Sequence, residues 1–280
     1  MLTTIGRDGR QLAWEEYGDP AGTPVVFLHG TPGGRLGAAS RDGFFAALNL
    51  RVLATDRAGY GGTDASPGRT VLTQAADIID VLDAASIDRA FVVGGSGGGP
   101  HALAAGVFAA DRVHAVGVLV GAVRLEPEQV KGQVAFNRTL FAALDDEEEL
   151  RNLLEQGRRT VLDEGIESLL TDAPASDRAA RAAMADVLAV TYADALAPGV
   201  EGMFDDYQAL WRRPWGFEPE DVKVPALWGH GTSDLYVPYD AARAVAQRLP
   251  LGELITWEGS GHAVTDEQMT EAFTRLLELR

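Results

Sequence analysis

The chain has 280 residues, 46% of them hydrophobic and 23% charged, which is ample for a sizeable core in one domain or in one domain carrying an inserted subdomain. It has no cysteine, which excludes disulfides, thiolate metal sites and cysteine nucleophiles and fits a reducing compartment. Lys+Arg of 24 against Asp+Glu of 41 gives a formal net charge of −17, which would repel a phosphate backbone and argues against a nucleic-acid partner.

The N-terminal stretch Met1–Gly9 lacks a basic start followed by an apolar core, so it does not read as a secretory signal. Leu12–Tyr17 follows an Asp8-Gly9 turn and reads as a hairpin strand. Val25–Leu28, bounded by Pro24 and Gly30, is a continuous β-branched and aromatic run and reads as a buried strand. Arg51–Thr55, Ala90–Val93 and Ala115–Val120 read the same way. Between two of them, Val71, Leu72, Ala75, Ile78, Ile79 and Leu82 fall on one helical face, with Thr70 as the expected N-cap. The most apolar stretch, Ala102–Val123, is broken by Asp111, Arg112 and His114, so no membrane helix is predicted and a cytoplasmic location is expected.

The alternation of strand and helix predicts a parallel sheet with helices on both faces. From about Gly121 to Glu220 the chain reads as helices only, punctuated by Pro127, Pro174, Pro198 and Pro214. The acidic run Asp145–Glu149 within it reads as a solvated helix start favoured by the helix dipole. Alternation returns with the strand Val224–Trp228, a helix over Tyr239–Leu249, the strand Glu253–Trp257 and a last helix over Asp266–Leu279. The expected organisation is an α/β core of residues 1–120 and 221–280, interrupted by a helical insert of residues 121–220.

Four stretches carry the chemistry. Gly94-Gly95-Ser96-Gly97-Gly98 is a Gly-x-Ser-x-Gly motif after a predicted strand and before a predicted helix, the setting of a nucleophile elbow. Its glycines let strand and helix approach closely around a strained serine turn, and the helix dipole favours developing negative charge at Ser96. The overlapping Gly97-x-Gly99-x-x-Ala102 imitates a dinucleotide fingerprint, but the next strand ends at Val120-Gly121-Ala122 without the required acid. His29-Gly30-Thr31-Pro32-Gly33 follows another strand and could supply an oxyanion donor. Pro32 has no N–H, so Thr31 is the expected donor, paired with Gly97 after the nucleophile. His29 itself reads as a hydrogen-bonded structural residue.

Val224–Asp234 ends a buried strand in a glycine-containing turn and delivers Asp234 at the carboxyl edge of the sheet, where ligands of open α/β sheets bind. Trp257–His262 places His262 between the last strand and last helix. Of the other histidines, His101 and His114 lie in or beside predicted secondary structure, and His230 precedes the acid. Ser96, Asp234 and His262 are therefore the expected nucleophile, acid and base, in the chain order this motif requires.

Four landmarks in order, His29–Gly33, Asp56-Arg57-Ala58-Gly59-Tyr60-Gly61, the Ser96 elbow and the Asp234/His262 pair, resemble the α/β-hydrolase superfamily. The His-Gly-x-Pro-Gly loop is similar to that of proline iminopeptidase-like members. The resemblance implies a mostly parallel eight-stranded sheet with helices on both faces and a helical cap inserted after the sixth strand. It implies a carboxylesterase-like serine hydrolase acting on a small-molecule acyl substrate, with no metal or organic cofactor and Asp56 and Arg57 bracing the site.

The aminopeptidases of the superfamily typically carry tryptophan after the nucleophile, where this chain has Gly97, and their amine-binding cap glutamates have no match. A general esterase fits better than a proline iminopeptidase. A hydroxynitrile lyase-like enzyme or a slow-turnover ligand sensor would use the same three residues. Serine at the elbow argues against carboxylate-nucleophile dehalogenase or epoxide hydrolase chemistry. Trp211, Trp215 and Phe217 sit where the insert rejoins the core, placed either to line an acyl pocket or to pack the junction.

Overall fold

A computed structural model describes residues 1–167 and 173–279; residues 168–172 of the expected insert lie outside it. Eight strands form one sheet: β1 (Leu2–Ile5), β2 (Gln11–Gly18), β3 (Thr23–Leu28), β4 (Leu50–Thr55), β5 (Ala90–Gly95), β6 (Val113–Leu119), β7 (Ala226–Gly231) and β8 (Gly252–Trp257). Their order is β1-β2-β4-β3-β5-β6-β7-β8. Antiparallel pairing joins β1 to β2 and β2 to β4, and every other neighbouring pair is parallel. The expected eight-stranded, mostly parallel sheet is therefore present.

Side chains alternate across each strand, and the continuous apolar runs exist because both faces are covered. Val26, Leu53, Val92 and Trp228 face one side, with helices α2 (Ala75–Ala84) and α3 (Gly98–Phe108). Val25, Val52, Phe91 and Leu227 face the other, with Phe45 of the short helix α1 (Asp42–Ala47), a helix with no sequence signal of its own. In α2, Ile78, Ile79 and Leu82 are buried, as their helical spacing predicts, each worth roughly 1.5–3 kcal/mol when fully removed from water. One cap differs from expectation. The α-helix begins at Ala75, and the Thr70 hydroxyl instead takes the Thr73 N–H (3.2 Å) in the turn before it.

The apolar stretch Ala102–Val123 divides between α3 and β6, and among the described residues no helix is long and apolar enough to cross a membrane. Between β6 and β7 those residues form helices without a strand: α4 (Pro127–Lys131), α5 (Ala135–Ala142), α6 (Glu147–Arg159), α7 (Ala175–Ala183), α8 (Ala185–Ala195) and α9 (Glu201–Tyr207). The acidic run caps α6, where Asp146 accepts the Glu149 N–H. Leu140, Leu150, Leu154, Leu196 and Phe204 make a separate apolar cluster that closes on Tyr60, from the loop after β4. The core resumes with β7, which starts at Ala226 rather than Val224, then α10 (Tyr239–Ala246), β8 and α11 (Asp266–Glu278). Pro225 has no N–H for the ladder, though its carbonyl accepts from Val116.

Candidate active site

Ser96 stands between β5 and α3 with φ of +50°, in the left-handed region that ordinary residues avoid. Hydrogen bonds hold it there. Its N–H donates to Leu119 O at 2.9 Å, and its carbonyl accepts from Gly99 and Ala122 at the same distance. The flanking glycines are steric requirements: a Cβ on Gly94 would stand 2.1 Å from Gly98 O, and one on Gly98 2.3 Å from Leu28 O. The helix can start against the strand only because neither side chain exists.

His262 lies in the loop between β8 and α11. Its Nε2 is 2.9 Å from Ser96 Oγ, and its Nδ1 is 2.7 Å from Asp234 Oδ2. An ionised carboxylate only accepts, so Nδ1 carries the proton and Nε2 is the acceptor facing the serine hydroxyl. Asp234 Oδ1 accepts the N–H groups of Tyr236 (2.8 Å) and Val237 (2.9 Å). Burial alone would raise the Asp234 carboxyl, but His262 and His230 outweigh it and hold it below the usual carboxylate range.

His230 is a supporting residue that its sequence position did not reveal. Its Nδ1 accepts from Trp228 Nε1 (3.2 Å), while Nε2 donates to Val237 O (2.9 Å) and stands 3.3 Å from Asp234 Oδ2. The Tyr236 ring lies 5.1 Å from that of His262. Asp177, on α7, accepts the Ala263 N–H at 2.6 Å and so ties the insert to the histidine loop.

The His29–Gly33 loop abuts the serine, with the position of a Cβ on Gly30 only 3.9 Å from Ser96 Oγ. Among the described residues neither the Thr31 N–H nor the Gly97 N–H has an acceptor, and a Cβ on Gly97 would stand 3.3 Å from Thr31 N. Two unspent donors therefore sit side by side next to Ser96. A Cβ on Gly97 would also meet Thr31 Oγ1 at 2.3 Å, so the tryptophan of the aminopeptidases has no room in this arrangement.

His29 accepts the Arg57 N–H at Nε2 (3.1 Å) and donates from Nδ1 to Gly30 O (2.6 Å). Burial, then the Arg57 charge, holds its pKa well below the ordinary value, as suits a structural imidazole. Asp56 accepts the Arg35 N–H (2.7 Å), the Arg35 guanidinium (2.6 Å) and the Gly62 N–H (3.0 Å). Arg57 donates to the carbonyls of His29 and Gly30. Both make bracing contacts.

The three aromatic candidates all make packing contacts. Trp215 and Phe217 are buried in the same core as α2, with Trp215 Nε1 on Leu210 O (2.8 Å) and the Trp215 carbonyl accepting from Leu72. Trp211 donates to Val123 O (3.1 Å) and lies against Phe141 and Tyr207. These are contacts of the junction.

A model of the alpha/beta hydrolase family matches residues 25–276, and the chain belongs to that family. Over 274 residues it is 28% identical to a non-heme chloroperoxidase of Streptomyces lividans, with 94% of each protein covered. A shorter stretch of 97 residues, 34% of this chain and 31% of the relative, is 37% identical to a proline iminopeptidase of Neisseria gonorrhoeae. Among solved structures, an esterase from Exiguobacterium antarcticum superposes with a TM-score of 0.72 at 20% identity, covering 99% of this chain and 98% of the other.

Proposed function

We propose that the chain is a serine hydrolase that cleaves an ester, thioester or amide of a small-molecule substrate. Ser96 attacks the acyl carbonyl and its proton passes to His262 Nε2. Asp234 orients the imidazole and stabilises its cation. The Thr31 and Gly97 N–H groups receive the developing oxyanion, each worth roughly 2.7–4 kcal/mol. Protonated His262 returns the proton to the leaving group, and water, deprotonated in turn by His262, releases the acyl group from Ser96. Residues 121–220 act as a cap over the site.

The observation that carries this reading is the continuous chain Ser96 Oγ–His262 Nε2, His262 Nδ1–Asp234 Oδ2 at 2.9 and 2.7 Å. Ester cleavage is favoured over aminopeptidase action by the crowding at Gly97. The test is labelling with a serine-reactive fluorophosphonate, peptide mapping of the adduct, and turnover of a panel of esters, thioesters and amino-acid anilides. Label on Ser96 with ester turnover supports the reading. Absence of label, or label elsewhere, sinks it. Anilide turnover without ester turnover would transfer the protein to the aminopeptidases.

A further inference from the structure

Asp206 lies on α9, within the insert, yet its side chain is wholly buried beneath the loop that carries Thr31. Its Oδ2 accepts from the Thr31 hydroxyl (2.6 Å), Arg57 Nη2 (2.6 Å) and the Tyr60 hydroxyl (2.9 Å). Its Oδ1 accepts from Arg69 Nη2 (2.7 Å) and Arg57 Nε (3.3 Å). The Thr31 hydroxyl in turn accepts from Arg57 Nη2 at 2.9 Å. The Thr31 hydroxyl thus donates once and accepts once, and these two bonds fix its rotamer.

That direction matters for what stands beside it. Thr31 Oγ1 occupies the space a Gly97 side chain would take, and the Thr31 N–H is unspent next to Ser96. Arg57 meanwhile holds the carbonyls of His29 and Gly30. One carboxylate therefore sets both the Thr31 side chain and the guanidinium that grips the preceding two residues. Burying a carboxylate with two guanidiniums is costly and seldom adds net stability, whereas it does impose a single geometry. Oxyanion donors need that, because displacement by about 1 Å can cost about 100-fold in rate.

We propose that Asp206 is a positioning residue for the oxyanion hole: a carboxylate of the insert that aims the Thr31 N–H through the Thr31 hydroxyl and Arg57. The proposal rests on the serine-hydrolase reading above. It makes the helical insert part of the catalytic geometry as well as a cover.

The test compares Thr31→Val, Thr31→Ser, Asp206→Asn, the double variant Thr31→Val/Asp206→Asn and Ile79→Val. For each, kcat and KM on a p-nitrophenyl ester, the rate of fluorophosphonate labelling and the thermal midpoint are measured. Thr31→Val keeps the backbone donor and loses only its orientation. It is expected to lower kcat roughly 10- to 100-fold, with KM within about twofold and labelling slowed in parallel. Thr31→Ser restores kcat to within about threefold. Asp206→Asn lowers kcat at least as much as Thr31→Val, because it loosens Arg57 as well, and the double variant falls no further than Asp206→Asn alone, because the Thr31 link is already cut. Ile79→Val trims a buried side chain of α2 that touches no member of the network, lowering the thermal midpoint with kcat within about twofold.

Wild-type kcat and labelling rate in Thr31→Val would overturn the positioning role. So would a kcat loss in Ile79→Val as large as that in Thr31→Val, since lost stability anywhere in the fold would then lower turnover. If Asp206→Asn does not fold, the valine–serine contrast at Thr31 decides. Failure of wild-type Ser96 to take the label is a separate result, and it removes the hydrolase reading itself.

Discussion

Ser96, His262 and Asp234 differ in what replacing each would reveal. Ser96→Ala deletes the proposed nucleophile and is expected to lower kcat on an activated ester by roughly 10⁶-fold, on the scale of removing a triad serine elsewhere. Retention of most turnover would take Ser96 out of the mechanism. Asp234→Asn keeps the shape but offers His262 Nδ1 an ambiguous partner, so the imidazole can adopt the wrong tautomer. A loss of about 10⁴ in kcat is expected in steady-state assays. His230, which also faces Asp234 Oδ2, is too deeply buried to reach substrate and supports the carboxylate from behind.

The glycine-rich turn at Ser96 illustrates how a motif's letters carry unequal weight at the level of elements. Gly94 and Gly98 sit where a Cβ would strike backbone, while a Cβ on Gly95 would have nothing within 4 Å. Gly98→Ala is therefore expected to destabilise by about 1–3 kcal/mol or more through overpacking of β3 against α3. Gly95→Ala should stay within about 0.5 kcal/mol. Urea unfolding of the two variants checks the contrast, and equal midpoints would contradict it. The seam between insert and core follows another rule. Arg35 bridges Asp56 and Asp194 of α8, Asp177 caps the histidine loop, and Asp206 lies under the loop that carries Thr31. Three acidic residues of the insert thus meet the core, two of them at the loops beside Ser96 and His262.

Across the whole molecule, acid should weaken the fold before the carboxylates titrate. Burial, reinforced by the Arg57 charge, lowers the pKa of His101 to about 3 and that of His29 well below its ordinary value. An unfolded histidine titrates near 6.5, so below that pH the unfolded chain binds protons that the folded chain refuses. Stability is then lost as pH falls from about 6.5 toward 3, at about 1.4 kcal/mol per pH unit for each of the two. Asp206 and Asp234, held low, add to the loss nearer pH 4, where Asp56 and Asp77, raised by burial, oppose it. Urea unfolding at pH 7.5 and 5.5 should show a decrease of about 1–3 kcal/mol. An unchanged midpoint would mean that both imidazoles are charged in the folded protein.

Strands β2 to β8, the glycine turn around Ser96 and the loop positions of Asp234 and His262 were legible in the sequence because each depends on neighbours a few residues away. Burial on both faces of the sheet wrote the continuous apolar run Val25–Leu28, and steric demands of one turn wrote Gly94 and Gly98. Thr70 misled because its hydroxyl caps a turn that looks, letter by letter, like the first turn of α2. Asp206 and Asp177 could not be read in the same way, although acids beside Met203, Phe204 and Tyr207 on a buried helix were a signal that polar atoms there must be matched. Their partners are 175 and 86 positions away in the chain. A buried charge is specified by whatever closes around it, and only the tertiary structure decides which groups do.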